Sequence, residues 1–408
     1  MSERVEWSEL PELLLAKIGE CLDTRIDNLR FRSVCTSWRS STPPFDSISH
    51  RRFPLDFPNP FPFPFPFAKP MLDSVDAYYE DCLTLSKRKC TLRQSILYRL
   101  QRLHPSPSGK AWSIKVEGRK QCLFYPQGER YEFPNNFNLL DFQHLELTRA
   151  YSLEMDFQHL YDSIFVHKVV MYPNSPSIKL NDSHVFVIYE PDFGQYRKLR
   201  HAKCGDESWT SVGEDKEDFN DVIVYEGRFY VVDQFGIVYW INVSSLELQQ
   251  LYPRISDGEL GTYKYLVESA GSLYVVDEYI GGGEVRFKVY KLNVESDGRF
   301  VWDLMESLGD RAFILGRYCS LSVSAGEFFG YEGNCIYFTH HNGYEGNFVF
   351  KLEDDSIANL DHNGYEGNFV FKLEDDSIAN LDIWRTTIHP GLSLVLLGYI
   401  FILWLSMF

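Results

Sequence analysis

The residue types that carry most enzyme chemistry are scattered through this sequence. Eight cysteines and eleven histidines are present, yet no C-x-x-C pair and no cysteine–histidine spacing typical of zinc sites occurs. His340 and His341 are adjacent but lack a third ligand. The sequence also lacks a G-x-S-x-G elbow, a phosphate-binding glycine loop, an H-E-x-x-H helix and a kinase signature. We therefore predict a non-catalytic chain with no metal and no cofactor.

Three other polar or flexible motifs have simple structural interpretations. Gly281–Gly283 is not followed by a helical pattern and predicts a hairpin loop. Asp354 and Asp355 follow a predicted strand and fit a solvated turn. The acidic run EDKEDFND over 214–221 could attract a basic partner, although a solvated loop leading into a strand is the simpler interpretation. An enzyme remains an alternative, because convergence of carboxylates on a channel cannot be seen in a sequence.

The first forty residues hold the clearest binding pattern. Four apolar residues recur every four positions, which places them in one stripe on a helix: Leu10, Leu14, Ile18 and Leu22. Pro11 suits the start of this helix, where its missing N–H costs nothing. A second apolar series follows: Ile26, Leu29, Phe31, Val34, Cys35 and Trp38. So short a segment cannot bury this much apolar surface alone, so it must dock on the rest of the chain or on a partner.

This order of residues resembles the F-box, a small three-helix module. The matching positions are Leu10, Pro11, Leu14, Ile18, Leu22, Leu29, Phe31, Val34, Cys35 and Trp38. The resemblance implies that these residues bind the Skp-type adaptor of a cullin-RING ubiquitin ligase. The alternative is a helical hairpin that packs on the chain's own core. We assign 1–45 to the F-box.

The net charge indicates which partners to expect, and the amino-terminal residues indicate the cellular location. The net charge of −17 argues against nucleic acid as a partner. The first residues, MSERVEWSEL, are charged and contain no apolar run, so they do not form a signal peptide. We expect reduced cysteines and a location in the nucleus, the cytoplasm or both.

A segment rich in phenylalanine and proline follows the predicted F-box. Residues 54–67 alternate these two residue types (PLDFPNPFPFPFPF), which excludes a helix and an interior strand. We predict an extended linker over 46–74. A docking ligand for an aromatic groove is the alternative.

From about residue 75 the pattern of residue types predicts an all-β domain. Short β-branched and aromatic runs are bounded by turn residues. GRFYVVD begins at Gly227 and GSLYVVD at Gly271, and GNCIYFT at Gly333 is a less regular third copy. A repeat of about 40–45 residues is typical of propeller blades. We predict a β-propeller-like domain over 75–361, with a β-sandwich as the alternative.

The resemblance extends into this domain. The segments Trp209–Asp233, Tyr265–Val276 and Trp302–Phe338 are similar to plant F-box proteins with a kinase-interacting, propeller-like domain. The fold class is therefore α+β and multidomain: a three-helix F-box, a mostly β propeller-like domain and a hydrophobic tail. The resemblance implies a substrate-receptor subunit of a Skp–cullin–F-box (SCF) ubiquitin ligase, with an unknown protein substrate. A non-ligase F-box interaction protein is the alternative.

The carboxyl-terminal part contains a perfect duplication. Residues 341–361 are repeated letter for letter as 362–382. Because blades of a propeller diverge in sequence, we predict that only one copy closes the propeller. Residues 383–408 form a hydrophobic tail, of which 391–408 are uncharged and would span about 27 Å as a helix. A membrane anchor is one interpretation of the tail, and a closing strand or translated non-coding sequence are the others.

Overall fold

The computed structural model describes most of the chain in separate stretches. The described residues are 10–22, 25–44, 53–58, 89–102, 111–117, 120–124, 142–155, 165–174, 179–190, 196–214, 217–256, 258, 260–281, 284–316, 319–328, 331–339, 347–353, 355–359, 369–372 and 377–380.

Three short helices form the amino-terminal part, where the resemblance to the F-box expects a three-helix unit. They are α1 (Glu12–Glu20), α2 (Arg25–Ser33) and α3 (Thr36–Ser41). The Pro11 carbonyl accepts hydrogen bonds from the backbone N–H groups of Leu14 and Leu15, which sets the first turn of α1. Both α1 and α2 contact α3, so the helices form one small packed unit.

The rest of the described chain is almost entirely β-structure, with one 3-10 turn at Leu180–Asp182. The strands are β1 (Leu55–Pro58), β2 (Lys89–Arg102), β3 (Trp112–Glu117), β4 (Lys120–Phe124), β5 (Phe142–Met155), β6 (Phe165–Tyr172), β7 (His184–Glu190), β8 (Lys198–Lys203), β9 (Thr210–Val212), β10 (Phe219–Tyr225), β11 (Arg228–Asp233), β12 (Val238–Asn242), β13 (Glu247–Leu251), β14 (Tyr263–Ser269), β15 (Ser272–Gly281), β16 (Glu284–Val294), β17 (Phe300–Met305), β18 (Arg311–Leu315), β19 (Ser320–Ser324), β20 (Cys335–Thr339), β21 (Asn347–Lys351), β22 (Ser356–Asn359), β23 (Phe369–Lys372) and β24 (Ser377–Asn380).

These strands form five sheets that are the blades of a propeller. Four blades are β6–β9, β10–β13, β14–β17 and the sheet ordered β19-β18-β20-β21-β22, and the fifth contains β1–β5 with β23 and β24. Contacts between β5 and β6, β6 and β10, β10 and β14, and β14 and β19 place these strands next to the central axis. The propeller prediction is confirmed, and the blade number, which the sequence left open, is five.

An apolar cluster lies between each pair of neighbouring blades. Five such clusters occur among the described residues, and each draws on two adjacent sheets. The cluster that closes the ring joins Leu97 of β2 to Ala312 of β18. Beside it, the backbone N–H of Ala111 donates to the carbonyl of Glu327 at 2.8 Å. Burial between blades therefore supplies the main apolar stabilisation of the ring.

The first two sequence repeats contain the second strand of their blades. GRFYVVD and GSLYVVD contain β11 and the start of β15, and each follows a tight turn from the inner strand. Glu226 and Gly227, like Ala270 and Gly271, have positive φ angles, as type I′ hairpin turns require. The third copy contains β20, which β18 separates from the inner strand β19. Because β18 is inserted there and pairs with β20 in parallel, the third spacing is irregular.

The two copies of the duplicated segment occupy different blades. The first copy forms the hairpin β21–β22, which pairs with β20 and completes the last blade. The second copy forms the hairpin β23–β24, and β23 pairs with β4 at the outer edge of the first blade. The same sequence therefore forms a strand with two different antiparallel partners, β20 in the last blade and β4 in the first.

Four residues of the predicted linker are part of the first blade, so the linker prediction over 46–74 is wrong for Leu55–Pro58. Leu55 and Phe57 alternate inward and are buried. The Pro58 carbonyl accepts hydrogen bonds from the Trp209 indole Nε1 at 2.6 Å and from the Cys90 thiol at 3.1 Å. Proline is tolerated because β1 pairs with one neighbour only.

Residues 59–67 and the tail 383–408 lie outside the described residues. Within the part of the chain that the structure describes, no helix combines the length and the apolar character needed to cross a bilayer.

Candidate protein-binding surfaces

Helix α1 presents an apolar surface to solvent. Leu13 is 80% exposed, Leu14 50% and Ile18 40%. The side of α1 that packs inside the helical unit carries Leu15 and Gly19, which are four residues apart and buried. We call the surface formed by Leu13, Leu14 and Ile18 the α1 face.

The contact between α1 and the rest of the helical unit depends on the small size of Gly19. A Cβ atom built at this position would lie 2.2 Å from the Thr42 Oγ1 atom. A larger residue there would push α1 away from the segment after α3. Gly19 therefore fixes which side of α1 packs inside the helical unit. Leu14 and Ile18, which belong to the predicted stripe, lie outside that side and are exposed.

The other predicted adaptor-binding residues divide between surface and interior. Phe31 is buried, and its ring centroid lies 4.5 Å from that of Trp38, which is half-buried. Val34 is 56% exposed. The remaining positions are exposed or half-buried, apart from Leu29 on α2, whose side chain lies outside the described residues: Leu10, Pro11, Leu22 and Cys35.

Sequence reasoning missed the separate roles of Leu13 and Leu15. The run Leu13–Leu15 places three leucines in succession, and three successive residues point in well-separated directions around a helix. The run alone cannot show which leucine is buried. The signal that could have found it is the pair Leu15 and Gly19, because a glycine four residues from a leucine marks a close approach.

A second exposed surface lies at one end of the β10–β13 blade. Hydrogen bonds tie its loops together: the backbone N–H of Phe219 donates to the Arg197 carbonyl at 3.1 Å, and that of Gln234 to the Asp218 carbonyl at 2.8 Å. The backbone N–H of Ile255 donates to the Gly236 carbonyl at 3.1 Å. Loops from two neighbouring blades therefore form one connected surface, which we call the loop face.

The loop face is held from beneath by buried or half-buried charges. The Arg197 guanidinium Nε lies 2.9 Å from the Asp218 carboxylate and its centre 4.8 Å from the Tyr263 ring. The Asp233 carboxylate, which is buried, accepts the backbone N–H groups of Phe235 at 2.9 Å and Ile237 at 2.8 Å. Burial raises the pKa of the Asp233 carboxyl, and the charge of Glu217 adds to the shift.

Carboxylates near the central axis are engaged in ion pairs and hydrogen bonds, of which the Lys168–Asp221 pair joins two blades and the others lie within one blade. Lys168 lies 2.9 Å from Asp221, and Lys264 lies 3.1 Å from Asp277. The Tyr265 hydroxyl donates to Glu278 at 3.1 Å, and burial raises the pKa of this carboxyl to about 7. In the described stretches, no three of the histidine, cysteine, aspartate and glutamate side chains are grouped as a metal site would need.

The molecule thus belongs to the class of β-propeller proteins that carry a separate helical unit, here one with an exposed apolar face. The profile of the family described as the KIB1-4 β-propeller matches residues 83–372. The chain belongs to this family.

Relatives from Arabidopsis thaliana match nearly the whole chain. F-box protein At2g26160 is 29% identical over 364 residues, covering 82% of this chain and 96% of the relative. F-box protein At4g35733 is 27% identical, covering 88% and 95%. F-box protein SKIP23 is 25% identical, covering 88% and 89%. The expected resemblance to plant F-box proteins with a propeller domain is confirmed.

Proposed function

We propose that this protein is the substrate-receptor subunit of an SCF ubiquitin ligase. The helical unit binds the Skp-type adaptor through the α1 face, and the propeller binds a protein substrate. The observation that carries the proposal is the exposure of Leu13, Leu14 and Ile18 on a helix whose other side is already packed. Large exposed apolar patches on soluble proteins typically mark sites of protein association.

The named relatives support the same role. They are F-box proteins that align with 82% and 88% of this chain. A receptor subunit needs no chemistry of its own, because holding the ubiquitin-charged enzyme close to a substrate supplies much of the rate gain. Such a subunit would act in the nucleus, the cytoplasm or both.

The test compares adaptor binding by two matched double variants of the full chain. Leu14→Ala with Ile18→Ala removes two half-exposed aliphatic side chains from the α1 face. Val294→Ala with Leu304→Ala removes two side chains of similar exposure from the outer strands of a propeller blade. Burying an aliphatic side chain completely is worth roughly 1.5–3 kcal/mol. About half of each of these two side chains is exposed, so the first pair should lose about 1.5–3 kcal/mol in total and weaken adaptor binding roughly 10- to 150-fold.

The second pair should leave adaptor binding unchanged. Adaptor binding that is equal in the two double variants would refute the proposed role of the α1 face. Co-purification of a cullin with the adaptor then separates a ligase subunit from a non-ligase F-box protein: a stable adaptor complex that never contains a cullin would contradict the ligase assignment.

A further inference from the structure

The loop face carries three aromatic side chains that stand out into solvent. Tyr196 is 49% exposed, Phe235 51% and Tyr252 69%. They belong to three loops that the hydrogen bonds described above join into one surface. We call this group the aromatic patch. Single exposed apolar residues are ordinary, whereas a group on one connected surface indicates a binding site.

The backbone around Phe235 is fixed before any partner arrives. Two hydrogen bonds to the Asp233 carboxylate hold the turn, and Gly236 adopts a φ of 72°. A Cβ atom at Gly236 would lie 2.5 Å from Ile255 Cγ1, so the turn is packed closely against the next loop. A ring presented by a rigid loop loses little conformational entropy on binding.

The electrostatic character of the loop face is negative. The described residues of its four loop segments, 196–197, 214 with 217–218, 233–237 and 252–256, contain four carboxylates and two cations. Beside them, the Lys198 ammonium lies 5.5 Å from the centre of the Tyr196 ring. Arg197 neutralises Asp218. The Glu214 side chain is exposed, and its backbone N–H donates to the Glu217 carboxylate at 2.6 Å.

The carboxylates of the loop face also raise the pKa of a tyrosine, Tyr239, on the neighbouring strand β12. Burial raises the pKa of the Tyr239 hydroxyl, and the charges of Asp233 and Glu217 raise it further. Tyr252 contributes to the same shift, and the Tyr239 hydroxyl donates to the Asp233 carboxylate at 3.4 Å. Aromatic and acidic groups therefore share one surface.

We propose that the aromatic patch binds a basic segment of the substrate, with arginine or lysine side chains lying on the exposed rings of Phe235 and Tyr252 and paired with Glu214 and Glu217. This inference rests on the proposed receptor function and names the chemistry of the segment that the propeller captures. Aromatic faces and carboxylates attract the same cations. A wholly apolar segment would desolvate the carboxylates without compensation, and an acidic segment would be repelled.

The experiment is a selection of short random displayed peptides on the immobilised full-length protein. The wild-type chain should enrich peptides rich in arginine and lysine, and added salt should weaken their binding. Phe235→Ala with Tyr252→Ala should reduce the affinity for these peptides roughly ten-fold. Val294→Ala with Leu304→Ala serves as the control, because it removes exposed apolar side chains elsewhere in the propeller.

Charge reversal provides a second, independent arm. Glu214→Lys with Glu217→Lys should shift the enriched peptides from basic to acidic composition. Enrichment without a basic bias, or peptides that the aromatic variant binds as well as the wild type does, would overturn the inference.

Failure of this inference is distinguishable from failure of the receptor role. Leu14→Ala with Ile18→Ala should lose the adaptor and keep the basic peptides, whereas the aromatic variant should keep the adaptor and lose the peptides. Intact adaptor binding together with an unbiased peptide selection would therefore reject only the aromatic patch.

Discussion

The buried ion pair between Lys264 and Asp277 offers the sharpest test of how a single blade is held together. Lys264 lies on β14 directly opposite Asp277 on β15, and both side chains are completely buried. The Lys264 ammonium lies 3.1 Å from the carboxylate and donates to the Gly261 carbonyl at 2.8 Å. The backbone N–H of Gly261 in turn donates to Asp277 at 3.1 Å.

Removing one partner leaves the other charge buried without compensation. Asp277→Asn preserves the size of the side chain and removes its charge, so the Lys264 ammonium keeps the Gly261 carbonyl but loses the carboxylate. Losing one partner of a buried pair typically costs about 3–5 kcal/mol. Because whole domains are stable by only about 5–15 kcal/mol, the loss should be visible as a large drop in the midpoint of urea unfolding monitored by tryptophan fluorescence.

Two further variants show whether the cost comes from the stranded charge. Lys264→Met combined with Asp277→Leu removes both charges and should be less destabilising than Asp277→Asn alone. Glu332→Gln breaks the exposed pair in which the Lys351 ammonium lies 2.7 Å from the carboxylate, and should cost less than about 1 kcal/mol. If Asp277→Asn proves as mild as Glu332→Gln, the buried pair does not hold the blade as argued.

Two remaining predictions concern acidic pH and the duplicated hairpin. The His184 and His201 rings share a contact at 2.8 Å, and burial lowers the pKa of His201 to about 4 and that of His184 in the same direction. In the unfolded chain, both histidines have the ordinary pKa of about 6.5 and are protonated at a higher pH than in the folded protein. The free energy of unfolding should therefore fall as the pH drops from about 6.5 to 4, and then level off. His201→Gln should remove about 3 kcal/mol of this loss, measured by urea unfolding at both pH values, and equal pH slopes in the two proteins would contradict the assignment. Deleting 362–382 should leave the melting temperature unchanged or raised, because β21 and β22 complete the last blade without the second copy; a large fall would show that the pairing of β23 with β4 is needed to stabilise the first blade.

Local features of the propeller were predictable, because they depend on residues close in the chain. The turns at Gly227 and Gly271 show the glycine and the flanking β-branched runs that define a hairpin. Blade assignment across the ring was not predictable. Strand β23 pairs with β4 from the other end of the domain, and no periodicity in the sequence specifies that partner.

The same distinction explains the error at the linker. Phenylalanine and proline in alternation predict extended backbone, which is what Leu55–Pro58 adopts. What the pattern could not show is that Phe57 packs 5.7 Å, between ring centroids, from Trp209 of the neighbouring blade. On the helices, the four-residue spacing identified the exposed stripe with Leu14 and Ile18, while the burial of Leu15 depends on the approach of Thr42 to Gly19.

The polar residues of the inner strands bear on where binding can occur. Asn220 and Asp221 on β10 accept backbone N–H groups of Lys264 at 2.9 Å and Leu266 at 2.8 Å on β14, so each carboxylate or amide bridges two blades. A side chain used in this way cannot be changed without loosening the ring, because its neighbour would be left with an unpaired buried donor. The exposed side chains of the loops carry no such obligation. A receptor that acquires new substrates would therefore alter its loops, such as the one that carries Phe235, and keep its central axis.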